Sequence, residues 1–139
     1  MNEDPDLAEF DALIRTIPIH ARMGLKLLQR GPEAKLTMEL TEEVRGGGEG
    51  SVHGGILATF ADVTCVNTLW GAYGDDEGPV TTDMHVRYYR QPHRGPLTSD
   101  GHLVHRGRRI LSAECSIMDA DQRVLARATA TYMIVPRRF

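Results

Sequence analysis

HGGILATFADVTCVNTLWGAYG, residues 53–74, is apolar over most of its length, opens on a Gly-Gly pair and carries a single carboxylate, Asp62. It is too long for a strand. Its large apolar residues fall at Ile56, Phe60, Val63 and Leu69, while Ala58, Thr59, Asp62, Cys65 and Val66 share a neighbouring face, the three-and-four spacing of a helix. The pattern predicts one mostly buried helix over 54–71, stopped by Gly71 and Gly74 and followed by the acidic DDEG loop.

Everything after Pro79 alternates. VTTDMHVRYYR (80–90), LTSDGHLVHR (97–106), RILSAECSIMD (109–119) and RVLARATATYMIV (123–135) read as four strands with polar or glycine-bearing connections, the pattern of an antiparallel meander. Upstream, residues 5–17 place Leu7, Phe10, Leu13, Ile14 and Ile17 at helical spacing, and Pro18 is expected to end that short helix. Residues 21–28 and 34–40 read as a hairpin about Gly31-Pro32. The element order implies an α+β fold in which an antiparallel sheet wraps the long central helix. Such a sheet has edges, and pairing with a second copy is the natural way to cover one.

The 139 residues suit one domain spanning 1–139, with an N-terminal helical segment at 1–18 and a core at 19–136. The chain is 41% hydrophobic and 25% charged, with no apolar run approaching the ~20 residues that cross a bilayer. An acidic start, MNEDPDLAEFD, lacks the basic and apolar parts of a secretory signal, so the default expectations are a cytoplasmic location and no membrane partner. Cys65 and Cys115 show no zinc-type spacing and read as reduced interior thiols. His102 and His105, three apart in a strand, are expected on opposite faces, which argues against a shared metal. Neither GxGxxG nor GK[ST] occurs, so no nucleotide cofactor is implied. The net charge of −3 divides unevenly: residues 1–79 carry 6 basic and 14 acidic side chains, residues 80–139 carry 10 and 5. The basic half is suited to face an anion. Nucleic acid is disfavoured, because the chain is acidic overall and lacks a binding motif with interleaved aromatics.

The chemistry concentrates at 47–62. Gly54 and Gly55 stand where the helix begins, and the first turn of a helix has backbone N–H groups without internal partners, reinforced by the macrodipole. A carbonyl oxygen gaining negative charge is stabilised there. Asp62 lies more than two turns on, and an acid inside a helix needs compensation: a function, a neighbouring loop to cap, or an arginine partner. Spacing alone leaves these open. Eight residues at 1.5 Å per residue separate Gly54 from Asp62 by ~12 Å along the axis. If both act on one substrate atom, the amide comes from one subunit and the carboxylate from another.

These residues carry a resemblance. HGGILATFAD, followed by VTTDMHVRYYRQP, HLVHRGRRI and RVLARATATYMI, resembles the hotdog-fold thioesterases, in particular the PaaI-like branch that includes phenylacetyl-CoA thioesterases. The resemblance covers about 24–136. It implies a homodimer with a continuous sheet, often paired into a dimer of dimers. It also implies hydrolysis of an acyl-CoA, aryl or medium-chain, without metal or other cofactor; CoA enters only as part of the substrate. Carried over, Gly54 polarises the thioester carbonyl, and the partner's Asp62 activates water or attacks directly. His53 holds the loop and the thioester, and Thr81 orients water. Gly55 belongs to the same helix start, and the pocket floor would come from Asp62, Cys65 and Val66 of the partner's helix and from the strand holding Thr81 and Thr82. Taken alone, Cys65 has no evident histidine partner and reads as core. Arg106, Arg108 and Arg109 offer planar donors to the phosphates of CoA, or form a solvated hairpin turn. The chain departs from the family at Gly47, six residues before His53, where Asn or Gln is common; Glu49 or Ser51 is the candidate substitute. That departure motivates the alternative of a non-catalytic acyl-CoA binder. A dehydratase would want a His–acid pair in its own setting, which is not found.

Overall fold

The apolar stretch forms a 14-residue helix, α3 (Gly54–Asn67), in a computed structural model that describes residues 4–48 and 50–137. Ahead of it come α1 (Leu7–Ile14), α2 (Pro18–Arg22), β1 (Lys26–Gln29), β2 (Lys35–Met38) and a single 3-10 turn at Glu42–Val44. Behind it come β3 (Glu77–Tyr88), β4 (Leu97–Arg106), β5 (Ile110–Met118) and β6 (Val124–Pro136). The six strands make one antiparallel sheet in the order β1-β2-β4-β5-β6-β3. Leu57, Phe60, Ala61, Val63, Thr64 and Cys65 of α3 are buried, together with Leu97, Leu111, Ile117 and Leu125 from the strands. This is the wrapped-helix architecture of the hotdog fold.

α3 packs tightly on the sheet at Gly101, where a Cβ would meet the Cγ2 atoms of Thr64 and Thr68 at 3.0 Å. Any side chain there would push helix and strand apart. The hydroxyls buried at that contact satisfy one another, Thr64 Oγ1 lying 2.7 Å from Ser99 Oγ.

Five expectations change. The helix stops at Asn67 rather than 71, because Thr68 and Leu69 donate to carbonyls three residues back, and the Asn67 and Thr68 side chains take the Val63 and Cys65 carbonyls. Pro18 begins a helix instead of only ending one, since its missing N–H costs nothing at a first helical position. The strand expected over 21–28 therefore shrinks to Lys26–Gln29. The meander is also incomplete: β4, β5 and β6 are joined by short turns, but the link from Tyr89 to Pro96 holds two prolines, is too long for a tight hairpin, and carries the chain past β5 and β6. β3 consequently pairs with β6 and forms an edge. Finally, a register shift between Leu103 and His105 returns His105 to the face of His102, opposite Ser112 and Glu114 of β5.

The two edges differ. At β1, the Asp11 carboxylate of α1 accepts the Leu27 N–H at 2.8 Å and pairs with Arg15, so that short edge is partly closed within the chain. β3 is 12 residues long, mostly exposed, and among the described residues has a neighbour on one side only.

The β5–β6 turn is organised by Asp119, which is fully buried. Its carboxylate accepts the N–H groups of His93, Asp121 and Arg123 at 3.1, 3.0 and 3.0 Å, with the Arg123 guanidinium 3.5 Å away. Burial opposes the charge, but those donors together outweigh it and hold the carboxyl below its ordinary value. A depressed carboxyl stabilises the fold above its unfolded pKa of about 3.9, and that contribution is lost as pH falls through the folded value. The stability gap between wild type and Asp119→Ala is therefore full at pH 7 and shrinks below about pH 4, which urea unfolding at several pH values checks. His93, Asp119 and Asp121 also form a metal-sized group, yet Asp119 is engaged by backbone donors and Asp121 pairs with Arg94 at 2.8 Å. No described helix is long and apolar enough to cross a membrane.

Candidate active site

His53 is the N-cap of α3, and its Nδ1 accepts the Gly55 N–H at 3.0 Å. An accepting Nδ1 places the ring proton on Nε2. The Ile56 and Leu57 N–H groups both reach the His53 carbonyl, at 3.0 and 3.2 Å. That leaves the exposed Gly54 N–H with no acceptor among the described residues. The sequence expectation that Gly54 and Gly55 both face a ligand is thus halved: the imidazole occupies Gly55, and Gly54 alone presents its amide. The Tyr88 hydroxyl donates to the Gly54 carbonyl at 2.8 Å and holds this turn from β3.

The preceding loop is tied to itself. Ser51 Oγ donates to the Gly48 carbonyl at 2.6 Å and accepts the Gly48 N–H at 3.1 Å, so its hydroxyl closes the loop rather than facing the helix start. The Gln91 side chain accepts the Val52 N–H at 2.8 Å. A Cβ on Gly47 would meet nothing within 4 Å, so the loop leaves open space there. Glu49 lies outside the described residues.

Asp62 is half-buried on the uncovered side of α3. No arginine among the described residues compensates it. Instead Tyr132 OH of β6 lies 2.7 Å from Oδ1, and Thr81 Oγ1 of β3 donates at 3.0 Å to Oδ1 and 3.3 Å to Oδ2. Thr81 and Tyr132 stand opposite each other in the ladder, so one cross-strand pair supports the carboxylate. The register shift after Thr81 makes Thr82 the extra residue, and its hydroxyl donates to the Thr131 carbonyl at 3.0 Å, away from Asp62. Sequence reading missed Tyr132, which alternates as any core aromatic does; the signal available was a phenol at a buried position, which needs a polar partner.

Cys65 is fully buried and faces the sheet, so it does not line the groove expected of it. The adjacent Cys115 thiol, followed by burial, pushes its pKa far up, leaving an inert core thiol. Val66, one turn beyond Asp62, does reach a groove of about 160 Å³, walled by Phe10, Ile14, Ile17, Val63 and Trp70. Arg106, Arg108 and Arg109 are exposed at the β4–β5 turn, and Arg106 donates to the Gly71 carbonyl at 3.2 Å. That turn joins the strands two and three places along the sheet from β3, roughly 10–14 Å from Thr81 at the usual inter-strand spacing. Within one chain the exposed amide and the anchored carboxylate remain two turns apart on one helix.

The sequence profile described as Thioesterase superfamily matches residues 49–126. The medium/long-chain acyl-CoA thioesterase YigI of Salmonella typhimurium is 27% identical over 134 residues, covering 85% of this chain and 86% of that protein. A protein of Saccharolobus solfataricus with a provisional esterase name is 26% identical over 86 residues, 62% of this chain; the match spans only 61% of that relative's length. In three dimensions, a variant thioesterase of Pseudomonas aeruginosa superposes with a TM-score of 0.87 at 17% identity, covering 98% of both chains, which shows a shared fold. The profile spans more than half of the sequence and includes both ends of the helix-borne site: the chain belongs to the thioesterase superfamily.

Proposed function

We propose that this protein hydrolyses acyl-CoA thioesters as a homodimer, in the manner of the PaaI-like branch. The observation that carries the reading is a pair on one helix, the Gly54 amide without an acceptor and the Asp62 carboxylate held by two hydroxyls. They are ~12 Å apart along the axis, beside a 12-residue strand edge that has no neighbour among the described residues. Exposed edges of this length are normally blocked or paired. A second copy adding its β3 to that edge makes one continuous sheet and brings each Gly54 towards the other's Asp62. A further pairing of dimers is compatible with this arrangement.

In the composite site the Gly54 N–H and the positive end of α3 stabilise the oxyanion as the thioester carbonyl becomes tetrahedral. Asp62 of the other subunit removes a proton from the attacking water. The new C–O bond forms, the C–S bond breaks, and the departing CoA sulfur takes up a proton to leave the free acid and the thiol. Direct attack by the Asp62 carboxylate, through a mixed anhydride that water then cleaves, uses the same residues. Thr81, exposed at the edge, steers the water in this reading. Arg108 and Arg109, with Arg106 beside them, supply charge for the CoA phosphates. The acyl group lies over Val66 in the groove walled by Phe10 and Trp70, whose volume of about 160 Å³ compares with the ~150 Å³ apolar cavity that admits a benzene ring.

The direct test is thiol release from a panel of aryl- and alkyl-CoA esters by the purified protein. Gly47 supports a second reading, a binder of acyl-CoA without turnover, because the open space there lacks a polar side chain to help position the carbonyl. CoA binding with no thiol release across the panel would favour it. The hydrolytic reading makes a further prediction. Gly47 has no positive φ and no neighbours to displace, so Gly47→Gln leaves stability within about 0.5 kcal/mol and raises kcat/KM up to about tenfold by supplying a donor to the carbonyl.

A further inference from the structure

The two hydroxyls on Asp62 are unequal. Thr81 reaches the carboxylate from the exposed edge strand, where water competes for its proton. Tyr132 reaches it from inside: the residue is fully buried in β6, a strand with neighbours on both sides. Its oxygen is 2.7 Å from Oδ1 and 3.1 Å from the Asp62 carbonyl oxygen. A phenol has one proton, and the shorter contact with the charged acceptor receives it. Oδ1 is therefore doubly engaged, whereas Oδ2 has only the longer Thr81 contact.

The geometry points to Tyr132 as the positioning residue of the site, a buried donor that locks the Asp62 side chain through Oδ1 and leaves Oδ2 as the oxygen that works on the substrate. This rests on the reading of Asp62 as base or nucleophile. A phenylalanine would fill the same core volume without a polar atom to satisfy, so the hydroxyl carries a desolvation cost that only its contact with Asp62 offsets. Burial, and then the Asp62 charge, raise the Tyr132 pKa well above the ordinary tyrosine range, so the donor keeps its proton through neutral pH. The other titratable groups facing this carboxylate are Cys65 of α3, whose thiol pKa is pushed far up, and, behind it, Cys115 of β5. β3 contributes Thr81, while Asp83, shifted by the register change, pairs with Thr131. Tyr132 is thus the one buried hydroxyl that favours the charged carboxylate.

Two variants test this, assayed with an ester that the wild type turns over and with Asp62→Asn alongside. Tyr132→Phe removes only the hydroxyl; kcat is expected to fall roughly 10–100-fold with KM within about twofold. The acid limb of the kcat profile moves up by about one pH unit, because a carboxylate that loses a donor protonates more readily. 3-Fluorotyrosine placed at 132 keeps the shape but is the stronger donor, so the limb moves the opposite way. This arm decides the question even if Tyr132→Phe does not fold. A limb that stays put in the fluorotyrosine protein, or a Tyr132→Phe protein with wild-type kcat and profile, overturns the positioning role. A limb unmoved in both with a lowered melting temperature marks Tyr132 as structural only and equally overturns it. Full turnover by Asp62→Asn would instead remove the Asp62 reading, and the positioning role with it.

Discussion

Asp62→Asn is expected to lower acyl-CoA turnover by about 10³-fold, in the range spanned by loss of a positioned acid or base, while the protein keeps its fold and assembly. The amide has nearly the same volume, and its oxygen can still accept the Thr81 and Tyr132 hydroxyls that hold the carboxylate at 3.0 and 2.7 Å. What it lacks is the ability to take a proton from water or to attack a carbonyl. Because the side chain is half-buried at the margin of the core, removing its charge relieves no large buried imbalance, and the melting temperature should change little. Thiol release at saturating ester is the measurement. A variant retaining more than a tenth of the wild-type kcat would exclude Asp62 from the chemistry.

The second large effect concerns the amide. Gly54 is the first residue of α3, a position where proline is well tolerated, and His53 before it is already extended, at φ −61° and ψ 129°. Gly54→Pro thus deletes the one N–H the helix does not use while keeping the helix. An added Cβ would sit 3.6 Å from the Tyr88 ring, an ordinary contact. Loss of one oxyanion donor is worth about 2.7–4 kcal/mol of transition-state stabilisation, roughly 10²–10³ in kcat. The composite site adds a sharper expectation. Mixing equal amounts of Asp62→Asn and Gly54→Pro, with subunit exchange, restores about one quarter of wild-type activity: half of randomly paired dimers are mixed, and each mixed dimer holds one intact site. If the mixture stays as inactive as its components after exchange is verified, the two groups do not meet across subunits.

Much of this was legible in the sequence. The helix–hairpin–helix–strands order, the buried central helix and the Gly54–Asp62 spacing are local properties, because side-chain alternation and three-and-four spacing report which face a residue takes. The resemblance built on HGG and the acid nine residues after His53 also led to the family that the profile match later showed. The ends of elements were less legible. Side chains of Asn67 and Thr68 compete for the last carbonyls of α3, and Pro18 opens a helix as readily as it closes one.

By itself, then, the sequence determined the kinds of element, the face that each presents, and the distance along one helix between an amide donor and an acid. Only the tertiary structure decided that β3 leaves β4 for the far side of β6, which sets Thr81 opposite Tyr132, and that both hydroxyls close on a carboxylate as many as 70 residues away. It also decided that His53 takes the Gly55 amide and that Cys65 turns into the core. The reason is physical: periodicity specifies a strand's faces but not its neighbour, and neighbours are chosen by how the whole chain buries its apolar surface and satisfies its polar groups.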